Sequence, residues 1–242
     1  MKRGTLYGIG VGPGDPDLIT VKAVGILESC PHVFVPKARH EGGSVALGIA
    51  EKYINGEAEV HELIFPMTTD RSELEACWEE SARAVAKVLE SGSDACFLTL
   101  GDAFLYSTYI YLIRALRNLI PDVEIVTTPG VTAFSAAAAL AEFPIGEAKE
   151  LVTIVPTADN PDQVKQALSQ SGTVVLMKIG KRLERILDLL DDSGALERSV
   201  LVSRAGMRGQ RIVKDVRSVR GDKEDAGYLS VILVRGKSEE NV

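Results

Sequence analysis

The chain has 242 residues, 45% of them hydrophobic and 25% charged, with a formal net charge of −7. That length holds one large domain or two of about 120 residues each, and the composition excludes a disordered chain, which could not bury enough apolar surface to offset its ordering entropy. An acidic balance without a basic tail argues against nucleic acid as a partner, so any anionic ligand needs a local cluster of Arg and Lys.

Cys30, Cys77 and Cys96 are an odd and widely spaced set that fits neither a disulfide framework nor a zinc ribbon. MKRG leads straight into an apolar segment without a signal-peptide core. No apolar run reaches the about 18 residues of a membrane span. A cytoplasmic protein with no membrane partner is expected.

In chain order, strands are predicted at TLYGIGV (5–11), HVFVP (32–36), VHELIF (60–65), DACFLTL (94–100) and VEIVTT (123–128). Helices are predicted near 17–29, 44–55, 70–91 and 106–119, with Thr69 or Asp70 as an N-cap and Glu73 at capping-box spacing from Asp70. Near-continuous apolar strands alternating with helices imply a parallel sheet covered on both faces. After about residue 148 the pattern changes. LVTIVPT (151–157) and TVVLMKI (173–179) flank a helix beginning near Pro161, and a helix over 181–192 follows. SVLVSRA (199–205), QRIVKDV (210–216) and YLSVILVR (228–235) are joined by short links, which favour antiparallel pairing. The fold class is therefore α/β with two domains: a parallel-sheet domain over 1–120 and a smaller, mixed-sheet domain over 121–242, divided near Pro121.

Three segments carry candidate chemistry. Gly8-Ile9-Gly10-Val11-Gly12-Pro13-Gly14-Asp15 ends a strand, and its glycines permit positive φ and close approach to the backbone. It fails the spacing of a dinucleotide fingerprint, because Gly8 and Gly10 are followed by Pro13, and Gly10 and Gly12 by Asp15. Asp15 also sets a negative charge where a pyrophosphate would sit. The loop is read as a close-approach wall and not as a phosphate cradle. LTLGDAFLYST (98–108) follows another apolar strand, at the carboxyl end where α/β sheets bind ligands. Asp102 there could accept from a ligand's hydroxyls or simply cap a helix. In TPGVTAFSAAAALAEFP (128–144), Pro129-Gly130 makes a turn, Thr132 stands at a helix mouth, and the alanine run permits close helix packing. His32, His40 and His61 show no metal-ligand spacing, His32 and His61 fall at strand starts and are read as structural, and no metal is expected.

Taken in order, GIGVGPGDPDLITVKA, LTLGDAFLYST, TPGVTAFSAAAA, VVLMKIG, VSRAG and YLSVILV resemble the tetrapyrrole methylase family over essentially the whole chain. HVFVPKAR, SVALGIAEKYI and ELIFPMTTDR are similar to the C20 methyltransferases of cobalamin biosynthesis, which act on precorrin-2 or cobalt-factor II. The resemblance implies a homodimer of two-domain subunits, with S-adenosylmethionine in the cleft between domains and S-adenosylhomocysteine as product. It places Pro13, Leu100, Gly101, Asp102, Leu105, Thr132, Ala133, Met177 or Lys178, and Ala205 against the methyl donor, with the GIGVGPGD loop lining the cleft. Two positions depart from the common pattern: Ala103 where proline is usual and Ala205 where some members have glycine.

In-line methyl transfer requires alignment of donor and acceptor more than a metal or covalent nucleophile. A proton must leave the methylated carbon, and Asp102, Lys178, Tyr228 and Asp15 are the unranked candidates to take it. A flat, carboxylate-edged macrocycle needs basic groups at its rim, for which Lys37, Arg39, Arg204, Arg208 and Arg211 are the candidates. The alternatives are another tetrapyrrole position or a non-tetrapyrrole acceptor for the same fold, and a non-catalytic carrier. Whether the acceptor carries cobalt stays open.

Overall fold

The apolar runs form two five-stranded sheets in a computed structural model that describes residues 2–37, 43–66, 68–156, 160–222 and 226–236. The chain divides into two compact units, Met1–Thr132 and Ala133–Val242.

The first unit contains strands β1 (Leu6–Gly10), β2 (His32–Lys37), β3 (Glu59–Ile64), β4 (Ala95–Thr99) and β5 (Ile125–Thr128) in the order β3-β2-β4-β1-β5. Every pairing is parallel. Its helices are α1 (Val21–Leu27), α2 (Val45–Ala50), α3 (Arg71–Glu90) and α4 (Tyr109–Leu119). Parallel strands need crossover connections, and these cover both faces: α3 and α4 pack on one side over Leu6, Phe34, Ala95 and Phe97, while α1 and α2 pack on β1, β2 and β4. Burial on both faces explains why β4 is apolar at nearly every position. Because β5 pairs with β1, the first unit runs past Pro121 to Thr132.

Local chemistry sets the helix boundaries. Asp70 caps α3 by accepting from the Ser72 and Glu73 N–H groups at 2.8 and 3.2 Å. The helix expected over 17–29 is broken: Asp15 caps a 3-10 turn at Pro16–Leu18, and α1 starts only after Thr20 accepts from the Ala23 N–H. The helix expected from 106 starts at Tyr109, because Tyr106 adopts φ 52°, outside the right-handed helical region.

The second unit contains α5 (Ala133–Ala141), β6 (Val152–Pro156), α6 (Pro161–Ser169), β7 (Thr173–Met177), α7 (Leu183–Asp192), β8 (Ser199–Ser203), β9 (Arg211–Val213) and β10 (Ser230–Val234). Its sheet is mixed, in the order β6-β7-β10-β8-β9. β6 and β7 run parallel around α6, and the β7–β10, β10–β8 and β8–β9 pairs are antiparallel, as the short links predict. The strand expected over 210–216 shortens to Arg211–Val213, because Asp215 caps a 3-10 turn at Val216–Val219. One face buries Leu176, Leu201, Ile232 and Val234 under α6 and α7, and α5 lies against β8 and β10.

Gly8 shows how tightly the first unit is set. A Cβ there would lie 2.1 Å from Cζ of the buried Tyr109 ring, whose hydroxyl is 2.9 Å from Thr127 Oγ1. Gly8→Ala is expected to cost about 1–3 kcal/mol in urea unfolding, as overpacking does. Gly48→Ala, on an open face of α2, is expected to add up to about 1 kcal/mol instead.

Candidate active site

In the first unit, the segments leaving β1, β4 and β5 are fused through their backbones. The Gly12 N–H donates to Gly101 O at 3.2 Å, and the Gly101 N–H donates to Gly12 O at 2.8 Å. Gly12 and Gly101 have φ of 80° and 72°, which suit glycine best. A Cβ on Gly130 would lie 2.2 Å from Gly101 O and 2.6 Å from Gly10 O, so only glycines let the three strand ends meet. In an open parallel sheet this carboxyl edge is where ligands bind.

Asp102 ties the arrangement together. Its Oδ1 accepts from the Phe104 N–H at 2.9 Å and its Oδ2 from the Gly130 N–H at 3.1 Å. Both oxygens thus hold backbone, so Asp102 joins the β4 loop to the β5 loop and does not act only as a local cap. Ser107 fixes the far side of the β4 loop: its hydroxyl lies 2.9 Å from Thr99 Oγ1 and accepts from the Tyr109 N–H at 3.0 Å. Between these anchors the left-handed Tyr106 stands out, since strained backbone in a non-glycine residue concentrates at functional sites. Phe104 and Tyr106 are 55% and 41% exposed, leaving two aromatic surfaces to solvent. Phe104 is missed by sequence reading because, in an apolar run, it looks like a core residue.

Of the other candidates in this unit, Pro13 is buried beside Gly12, while Leu100, Leu105 and Thr132 are half-buried. Asp15 accepts from the Asp17 N–H at 2.9 Å. Lys37 ends β2 and pairs with Glu62 at 2.8 Å. Arg39 lies outside the described residues. Thr128, 1% exposed, carries a hydroxyl at the end of β5 with no hydrogen-bond partner among the described residues.

In the second unit, three non-glycine residues with positive φ stand at one edge of three adjacent strands. Lys178 (58°) follows β7, Arg204 (49°) follows β8, and Leu229 (49°) precedes the antiparallel β10. The Arg204 N–H donates to Leu229 O at 2.9 Å, and the Gly180 N–H donates to Gly227 O at 2.9 Å. This edge brings together Met177, Lys178, Ala205 and Tyr228, which the sequence scatters over some fifty positions. Ser203, 1% exposed, places a second unpartnered hydroxyl there. Met177 and Ala205 are buried, and Tyr228 is 45% exposed. Ala133 opens α5, away from the left-handed residues in the chain.

Lys178 has no hydrogen bond or ion pair among the described residues. Although its surface is exposed, the protein atoms crowded around its ammonium group lower its pKa. Arg211 pairs with Asp222 at 2.5 Å, whereas Arg204 and Arg208 form no ion pair among the described residues. His32 and His61, read as structural, lie with Glu59 on β2 and β3.

Comparison with known proteins agrees with this architecture. The profile of the Tetrapyrrole (Corrin/Porphyrin) Methylases matches residues 5–218. The cobalt-precorrin-2 C(20)-methyltransferase of Salmonella typhimurium is 39% identical over 238 residues, spanning 98% of each chain. The precorrin-2 C(20)-methyltransferase of a Sinorhizobium species is 31% identical over 242 residues, 96% of each. Among solved structures, the uroporphyrin-III C-methyl transferase of Thermus thermophilus, complexed with S-adenosyl homocysteine, superposes with a TM-score of 0.62 at 20% identity, covering 97% of this chain and 98% of that one. A family match over residues 5–218, most of the chain, means that this chain belongs to the tetrapyrrole (corrin/porphyrin) methylases.

Proposed function

We propose that this chain transfers a methyl group from S-adenosylmethionine to C20 of precorrin-2 or of its cobalt-bearing counterpart, in cobalamin biosynthesis. The observation that carries the reading is the near full-length similarity to a C20 enzyme, at 39% identity. Homodimeric assembly in the cytoplasm accompanies it as the family's habit. Among the described residues no helix is long and apolar enough to cross a membrane.

The residues present fit the donor. Among the described residues, the buried hydroxyls of Thr128, Thr173 and Ser203 lack partners; Thr128 and Ser203 stand at strand ends assigned to the donor, and a buried polar group without a partner is costly unless a ligand or water satisfies it. Strained backbone at Lys178, Arg204 and Leu229 is the kind held in place for binding. When bound, S-adenosylmethionine supplies a methyl carbon made electrophilic by its sulfonium. We assign its contacts to Pro13, Leu100, Gly101, Asp102, Leu105 and Thr132 in the first unit, and to Ala133, Met177, Lys178 and Ala205 in the second. Mostly these offer backbone and apolar surface, so shape matters more than side-chain charge. Asp102 positions the β4 and β5 loops through its two backbone contacts.

The exposed faces of Phe104 and Tyr106 suit a flat ring, and Arg204 and Arg208, together with Arg39, are the candidates to grip its carboxylates. Lys178 is the best placed of the four candidates to take the proton from the methylated carbon. Asp102 and Asp15 already accept from backbone. A lysine acts as base only when neutral, and crowding brings that form closer to working pH.

The direct test incubates the protein with methyl-labelled S-adenosylmethionine and either metal-free or cobalt-bearing precorrin-2, and locates the new methyl by NMR. Label at C20 is expected; label at another ring carbon, or on neither acceptor, contradicts the proposal. For the base, Lys178→Ala should slow single-turnover formation of the deprotonated product by about 10²-fold at saturating donor. Wild-type rate should climb as pH rises through the lowered lysine pKa, and Lys178→Arg, which stays charged, should be slow and flat. A wild-type profile in either variant excludes the role.

A further inference from the structure

At the opposite, amino edge of the parallel sheet, two of the chain's three histidines meet a carboxylate. His32 is the first residue of β2 and Glu59 the first of β3, and they pair in register; Phe34 pairs with His61 two residues on. A strand's period of two puts Glu59 and His61 on one face of β3. The register sets His32 beside them from the neighbouring strand. His32 Nδ1 lies 3.1 Å from His61 Nε2 and 3.5 Å from Glu59 Oε2. One donor atom from each of the three residues lies within 4.8 Å of the others.

The imidazoles are held in place while the carboxylate is free to move. His61 stacks on the buried Phe34 ring with centroids 4.5 Å apart and planes 19° apart. The His32 and His61 side chains are 21% and 25% exposed, against 67% for Glu59. Metal–nitrogen distances of about 2.0–2.1 Å give a tetrahedral edge of about 3.3 Å. The two short separations bracket that edge, and a rotation of the exposed Glu59 closes the third. Two nitrogens and one carboxylate suit Zn²⁺, Co²⁺ or Ni²⁺ and not Mg²⁺ or Ca²⁺. β3 is an edge strand with one neighbour, so an ion bridging β2 and β3 would brace an edge of the sheet.

We propose that His32, Glu59 and His61 form a divalent transition-metal site, with water in the remaining coordination positions, that pins β3 to β2. It lies at the sheet edge away from the glycine loops and plays no part in methyl transfer.

The test uses tag-free, chelator-treated full-length protein titrated with Zn²⁺ by calorimetry and with Co²⁺ by visible absorption. About one ion per chain is expected, with imidazole-ligated cobalt bands and a thermal midpoint that rises with Zn²⁺ concentration. Glu59→Gln alters only an exposed side chain, and His61→Phe keeps a ring on Phe34 while removing the nitrogens. Each should weaken Zn²⁺ binding by more than about tenfold while metal-free unfolding stays cooperative. Absence of stoichiometric binding, which would mean a plain histidine–histidine hydrogen bond, overturns the proposal. Binding that survives both substitutions overturns it as well, by placing the ion elsewhere.

Discussion

Backbone meeting backbone at Gly10, Gly101 and Gly130 is the contact on which the first unit's carboxyl edge depends. Side chains at Gly10 and Gly130 would push the strand ends apart, since their hypothetical Cβ atoms fall within 2.9 Å of neighbouring main chain, whereas Gly101 is needed for its φ of 72°. With the glycines in place, the loops leaving the three strands are close enough for one carboxylate, Asp102, to hold two of them. A rigid edge of this kind suits a reaction whose demand is alignment. The donor brings its own reactivity, so the protein's task is shape, exclusion of water and one proton transfer.

Much of this was legible in the sequence. Near-continuous apolar runs announced a two-sided parallel sheet, and the switch to short links after residue 148 announced antiparallel pairing in the second unit. The GIGVGPGD spacing and Asp15 argued for a close-approach wall over a phosphate cradle. The partner of each glycine was not legible: Gly8 yields to the ring of Tyr109, about a hundred residues away, and Gly10 to Gly130. Such contacts depend on strand order, which pattern alone does not set. Tyr106 shows a second limit, because the periodicity of 106–119 is helical from its first residue while the backbone there is left-handed.

The histidines illustrate the same boundary from the other side. In the chain, His32 and His61 have no metal-ligand spacing, so they read as structural. Parallel register between β2 and β3 converts a separation of 29 residues into one of 3.1 Å. At the second unit's edge, Lys178 and Arg204 were already candidates in the VVLMKIG and VSRAG segments, but the positive φ they share with Leu229 was not legible. Ser203 is similar: a serine ending an apolar strand is ordinary until its hydroxyl is found buried without a partner.

The proposal to test first sets the methyl donor at the glycine-fused carboxyl edge of the first unit. Photolabelling with methyl-tritiated S-adenosylmethionine, followed by peptide mapping, tests it most directly. Label is expected in the peptide carrying Gly101–Leu105, and it should be displaced by S-adenosylhomocysteine. Displaceable label confined to α3 or to the amino ends of β2 and β3 would contradict the account.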